Sequence, residues 1–218
     1  MNYIQMNDGS HVECSKIVAV GRNYAEHIEE MKAQRTKDPV LFLKPSTALC
    51  PMDEALIIPR DKGAVHYELE LAVVIGKKAQ HVAEDDALAC VRGYGMALDL
   101  TLRDVQSEAK KAGLPWSVAK GFDRACPVSR FTDAAQADYD GQWEVLLEQN
   151  GEVRQKGNTG QMIFPLHTLI SYISHIFTLL PGDVVLTGTP AGVGPLTPGD
   201  KIRAVVGPLP EVKTAVAI

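Results

Sequence analysis

The sequence predicts a β-rich α+β fold with a few short helices. Three observations carry that prediction. Turn-forming residues are frequent and spread along the chain, with 18 Gly and 13 Pro. Apolar runs of strand length outnumber helical patterns, and Leu69–Ile75 has the β-branched content of a buried strand. The composition, 45% apolar and 22% charged, is that of a packed globular chain and excludes disorder. A chain of 218 residues suits a single domain over 1–218, and it buries enough surface to fold without disulfides or a structural metal.

Taken in order, Lys16–Val20 and Val40–Leu43 read as strands. Between them Tyr24–Lys32 reads as a helix, with Asn23 as its N-cap and Glu26 close to a capping box. The charged segment Lys32–Asp38 reads as a mobile connection. Arg103–Ala112 is a helix stopped by Gly113. Glu144–Glu148 is a strand, and Asn150-Gly151 after it is a strong hairpin signal leading into Val153–Gln155. Phe164–Ile176 is an amphipathic helix with Leu166, Leu169, Ile170 and Ile173 on one face. Two Pro-Gly-Asp turns launch the strands Val184–Gly188 and Lys201–Val206.

The net charge of −5 argues against nucleic acid or an anionic membrane as partner. An anionic substrate would need a local cluster of cations or a metal. Cys14, Cys50, Cys90 and Cys126 form no Cys-x-x-Cys pair and read as ordinary thiols. The start of the chain lacks a secretory pattern and no window is apolar enough to span a membrane, so a cytoplasmic location is expected.

The richest stretch is His66-Tyr67-Glu68-Leu69-Glu70, at the head of the buried strand. On a strand, residues two apart share a face, which brings Glu68 and Glu70 together. Two neighbouring carboxylates entering a core cannot both ionise cheaply without a cation, and a divalent metal answers that need. Oxygen ligands favour Mg²⁺, Mn²⁺ or Ca²⁺. The alternative is an ordinary charged edge strand. Asp99, set between Leu98 and Leu100, is a third carboxylate, and Arg103 and Gln106 share one face of the helix that follows. Together they offer a metal site beside an anion site.

His27 and Glu30 lie three apart on a short helix, a spacing that lets the carboxylate orient the imidazole as a base; an exposed pair is the other reading. Lys120, flanked by Trp116 and Phe122, is either a surface cation or one placed to stabilise an oxyanion or enolate, and Lys44 is a weaker candidate for the same role. The Thr187–Pro195 turn either brings amides and the Thr189 hydroxyl to an anion or is a plain hairpin loop. It lacks a Gly-Lys-Ser/Thr ending and no helix pattern follows, which argues against nucleotide binding.

With these residues assembled, the chain resembles the fumarylacetoacetate hydrolase family, in particular its small acylpyruvase-like branch. The resemblance runs from about 16 to 206 and rests on GRNYAEH, FLKP, HYELELAVVIG, GYGMALDLTLRDVQ, PWSVAKGFD, NTGQMIFP and PGDVVLTGTPAGVGP. It implies a mixed β-sandwich or β-roll, usually a homodimer, without the extra N-terminal domain of larger members. It implies Mg²⁺ or Mn²⁺ held by Glu68, Glu70 and Asp99, and a His27–Glu30 dyad activating water under a lid. Lys120 is implied as the oxyanion-holding cation, and Arg103, Gln106 and Thr189 as substrate contacts. The expected reaction is hydrolysis of 3-acylpyruvates to pyruvate and a carboxylate. Oxaloacetate decarboxylation and oxaloacetate keto–enol tautomerisation are alternatives, because all three share a stabilised enolate. A non-catalytic metal-binding module is the rival from outside enzymology.

Overall fold

The computed structural model describes residues 2–218. Strand accounts for 39% and helix for 22%, so the β-rich α+β expectation holds. The spine is an eight-stranded mixed sheet. Its strands run in the order Val40–Pro45, Lys16–Gly21, Val184–Leu186, Leu69–Ile75, Val91–Leu98, Cys126–Val128 and Leu49–Pro51, with Thr132–Asp133 added beside Val91–Leu98. A five-stranded sheet has the order Glu152–Asn158, Glu144–Gln149, Lys201–Val206, Val212–Ala217 and Leu56–Ile57.

The central strand explains why an apolar run broken only by Glu70 was needed there. Leu69, Leu71, Val73 and Ile75 enter a large core with Val145, Leu147, Ile202 and Val206 of the five-stranded sheet. Ala72 and Val74 enter a smaller core with Ile17, Ala19 and Val184. Both faces are covered, so every residue of the strand is buried. Each large apolar side chain buried this way contributes about 1.5–3 kcal/mol. The Leu166–Ile176 helix sends Leu166, Leu169, Ile170 and Ile173 into the large core, as its periodicity predicts.

Local signals were largely obeyed. Asn150 and Gly151 both have positive φ, 57° and 85°, the signature of the tight hairpin turn. Gly113 ends the Arg103–Ala112 helix in a left-handed conformation at φ 66°. Residues 32–38 carry no helix or strand. The four cysteines are free and buried. No helix among the described residues is long and apolar enough to cross a membrane.

Three expectations need correction. Asn23 does not cap the first helix, which spans Ala25–Glu30 and starts from Tyr24 without a side-chain cap. The buried Asn23 amide instead donates to the Thr187 and Phe164 carbonyls at 2.8 and 3.1 Å and accepts from Phe164 N–H at 2.8 Å. A fully buried amide must satisfy all its groups, and three chain segments meet there to do so. The C-terminal helix begins at Leu166, two residues late, because Pro165 is its N-cap. Finally, 66–76 is not one strand. Val65–Tyr67 leaves the main sheet at Glu68 and pairs with Thr101–Leu102 and Gly194–Pro195, which takes His66 to a different sheet from Glu70.

Candidate active site

The break at Glu68 is what builds the site. Leu69 pairs with Leu98 and Glu70 with Ala97, and the Asp99 N–H then donates to the Glu68 carbonyl at 2.8 Å. Register therefore stacks Glu68 and Asp99 at the end of one strand pair, with Glu70 a step inside. One carboxylate oxygen from each of the three lies within 4.8 Å of the others, and all three residues are buried.

Cations from remote segments meet this cluster. Lys120 Nζ donates to Glu68 Oε2 at 2.8 Å, Asp99 Oδ2 at 2.5 Å and Thr101 Oγ1 at 2.7 Å. Arg103 donates to Glu68 Oε1 at 2.5 Å and to Gln106 Oε1 at 2.7 Å. Lys44, wholly buried, lies 2.7 Å from Asp99 Oδ1. Its ammonium protons are directed at the carbonyls of Lys120, Ala125 and, at 3.4 Å, Leu100. The contact with Asp99 Oδ1 is thus one of charge without an aligned hydrogen bond, and that oxygen remains a buried acceptor with no aligned donor.

The three acids differ in their surroundings. Burial favours the neutral form of Glu68, but the Lys120 and Arg103 charges outweigh it and hold its carboxyl well below the usual range. For Glu70, burial and the neighbouring Asp99 and Glu68 charges act together and push the carboxyl well above its ordinary value. Glu70 forms no ion pair among the described residues and receives a hydrogen bond from Gly188 N–H at 2.7 Å. Burial works against the Lys120 ammonium, yet Asp99 and Glu68 raise its pKa overall. Glu70 without a cation and Asp99 Oδ1 without an aligned donor are what an all-oxygen divalent cation site requires, so the residues fit the implied metal.

A cavity of about 480 Å³, counting its open mouth, lies over the cluster. Glu68, Glu70, Asp99, Arg103, Gln106 and Lys120 line it, together with His27 and Thr189. His27 is buried, and its Nδ1 lies 3.0 Å from Glu30 Oε2. Glu30 Oε1 accepts from Gly192 N–H at 3.0 Å, so Glu30 sits behind the imidazole and outside the cavity wall.

The glycine-rich turn has a use that its spacing did not disclose. Gly188 and Gly192 have φ of 97° and 98° and donate their N–H groups to Glu70 and Glu30. A Cβ on Gly192 would stand 1.9 Å from the Arg154 carbonyl oxygen. The turn thus orients two carboxylates of the chain. The Thr189 hydroxyl is not free to donate to an anion: it donates to the Leu69 carbonyl at 2.8 Å and accepts from Gln155 Nε2 at 2.7 Å. Fully buried Gln155, which also receives Leu69 N–H at 2.9 Å, was invisible in the sequence because nothing local marks a glutamine as buried. Lys44 proves to be a cation behind the site instead of on its wall. Arg22 and Lys110, which no motif highlighted, do line the cavity.

Known proteins place this geometry. The family described as fumarylacetoacetate hydrolase, C-terminal, matches residues 16–217. Oxaloacetate tautomerase YcgM of Escherichia coli is 54% identical over 189 residues, covering 86% of each chain. The human mitochondrial oxaloacetate tautomerase FAHD1 is 49% identical over 188 residues, covering 86% of this chain and 85% of its own. The crystal structure of fumarylpyruvate hydrolase from Pseudomonas aeruginosa, in complex with Mn²⁺ and pyruvate, superposes with a TM-score of 0.94. It is 33% identical, over 99% of this chain and 95% of that one.

Proposed function

The chain belongs to the fumarylacetoacetate hydrolase family, and from that premise we propose that it interconverts the keto and enol forms of oxaloacetate with a divalent cation at Glu68, Glu70 and Asp99. One observation carries this reading. Relatives about half identical over 86% of the chain are oxaloacetate tautomerases, whereas the fumarylpyruvate hydrolase is 33% identical. The preference for 3-acylpyruvate hydrolysis, drawn from the His27–Glu30 spacing and the family resemblance, therefore gives way to the tautomerase alternative.

Tautomerisation takes one proton from C3 and places one on the C2 oxygen, so it needs no attacking water. Mg²⁺ or Mn²⁺ bound at the three carboxylates supplies a Lewis acid that makes the C3 protons of a 2-oxo acid more acidic. A carboxylate only accepts, so His27 Nδ1–H donates to Glu30 and Nε2 keeps the lone pair that removes a C3 proton. Glu30 then stabilises the imidazolium, which gives up its proton to the C2 oxygen and so completes the exchange. The Lys120 ammonium, held among acids, keeps positive charge beside the oxygen where the enolate develops. Arg103 and Gln106, neighbours on one helix face, hold the C1 carboxylate. Thr189 shapes the wall, its hydroxyl being committed elsewhere.

The His27–Glu30 pair would equally activate water, so acylpyruvate hydrolysis is the second reading. The test follows decay of enol-oxaloacetate by ultraviolet absorbance with Mg²⁺ or Mn²⁺ while pyruvate is measured in parallel. Acceleration of at least ~100-fold over the metal-only blank, without matching pyruvate, is expected. Pyruvate appearing as fast as the enol disappears, or faster turnover of acetylpyruvate, would replace this reading by decarboxylation or hydrolysis.

A further inference from the structure

From the mouth of the cavity we infer that Arg22 and Lys110 form a second anion subsite, which takes the distal carboxylate of a four-carbon 2-oxo dicarboxylate and sets selectivity against monocarboxylate 2-oxo acids. The inference deepens the proposed function and rests on that reading for the identity of the substrate.

Charge balance is the first support. The buried acids Glu68, Glu70 and Asp99 face three close cations, Lys44, Lys120 and Arg103. Arg22 and Lys110 line the same cavity, yet neither is ion-paired to a carboxylate among the described residues. Arg22 makes a long 3.4 Å hydrogen bond to the Gln34 carbonyl, which leaves most of its guanidinium donors available.

Placement is the second support. Arg103, Gln106 and Lys110 recur at three- and four-residue spacing, so they form one row along the helix face that borders the cavity. Lys110 lies about 10 Å along the axis from Arg103. Helical side chains lean towards the N-terminus, so the Lys110 stem reaches back over the row. Its Nζ stands 5.2 Å from the centroid of the Trp116 ring, which positions the ammonium at the cavity wall. Arg22 reaches the same cavity from another element, directly after the Lys16–Gly21 strand. It holds a left-handed backbone at φ 60°, a conformation that costs a non-glycine residue about 1–3 kcal/mol. Burial first, and then the positive charges of Arg103 and Arg22, lower the Lys110 pKa to about 8, so these cations repel one another across the cavity. A ligand whose far end is a carboxylate relieves that crowding, whereas an apolar acyl chain would leave the two cations facing it.

The test compares oxaloacetate with pyruvate, which lacks the distal carboxylate, on Mg²⁺-loaded protein. Trp116 lines the cavity, so tryptophan fluorescence reports binding within seconds of mixing. Wild type should prefer oxaloacetate, and Arg22→Gln with Lys110→Gln should weaken oxaloacetate at least ~10-fold while changing pyruvate less than ~2-fold, the scale of one charge-assisted contact. The Arg22→Lys with Lys110→Arg protein should retain the preference. Equal weakening of both ligands, or an unchanged preference in the Gln double variant, would overturn the subsite. Selective binding of oxaloacetate without enol turnover would refute the tautomerase reading and leave the subsite standing. Enol turnover with a preference indifferent to both residues would do the reverse.

Discussion

The two walls of the cavity are built on different principles. The inner wall, Glu68, Glu70, Asp99 and Lys120 with Lys44 behind it, is rooted in the central strand pair and its flanks, and all five residues are at most 5% exposed. Glu68, Asp99, Lys44 and Lys120 each touch several partners, so displacing one disturbs the rest. The outer wall, Arg22, His27 and Lys110 with Glu30 behind His27, stands on a six-residue helix without a side-chain cap, a left-handed residue and the far turn of another helix. His27 is held through one hydrogen bond to Glu30, and Glu30 through one backbone N–H. The lesson is a division of labour. The inner wall makes charge affordable inside a core, whereas the outer wall carries the groups proposed to exchange protons and meet the substrate's far end.

That contrast is broken most severely by paired substitutions. Lys44→Met should destabilise the protein by about 3–5 kcal/mol in chemical denaturation, because it leaves Asp99 Oδ1 buried without its cation. His27→Ala should lower tautomerase kcat by roughly 10²–10⁴-fold and leave stability nearly unchanged. If Lys44→Met were stable and His27→Ala unfolded, the assignment of the walls would be reversed.

Glu70→Gln sharpens the comparison within the inner wall. The amide keeps an acceptor for Gly188 N–H but removes the carboxyl that the other two acids oppose. Metal-free melting temperature should therefore rise, by roughly 2–4 °C for each kcal/mol relieved. Mg²⁺ affinity, measured by calorimetry, should fall more than ~100-fold, beyond what loss of a supporting group costs. A fall in both quantities would mean that Glu70 is a structural acid and no cation ligand.

The smallest effect belongs to the outer wall and to pH. Lys110 faces Arg22, Arg103, Lys120 and Glu68, with Trp116 beneath it, and its pKa is lowered to about 8. Its ammonium is present below that value and lost as pH rises through it, so an anionic substrate binds less well in alkali. KM for oxaloacetate should rise about two- to fivefold between pH 7 and 9 in wild type, the scale of a partly exposed charge pair. Lys110→Arg should flatten that rise. An identical rise in the Arg variant would trace the pH dependence to another group.

Much of this was legible in the residues. Strand pattern and turn chemistry predicted the buried Leu69–Ile75 strand, the Asn150-Gly151 hairpin and the Arg103–Ala112 helix, because each depends on neighbours in the chain. The Glu68–Glu70 spacing and the His27–Glu30 spacing were readable for the same reason. Asn23 was misread because a cap and a buried tie use the same amide, and only remote partners decide between them. The sequence left the use of the Thr189 hydroxyl open because its two partners, Leu69 and Gln155, lie 120 and 34 residues away.

What the sequence determined by itself, then, is the inventory and its local geometry: which residues alternate on a strand, which share a helix face, and that paired acids entering a core require positive charge. Tertiary structure alone decided how that charge is divided. Lys120 and Arg103 come from separate segments, and their placement sets Glu68 low, while Glu70, facing Asp99 and Glu68, is left high. The physical reason is distance. Electrostatic interactions in a dry interior depend on a few ångströms between side chains, and chain order does not specify those ångströms until the sheets have closed.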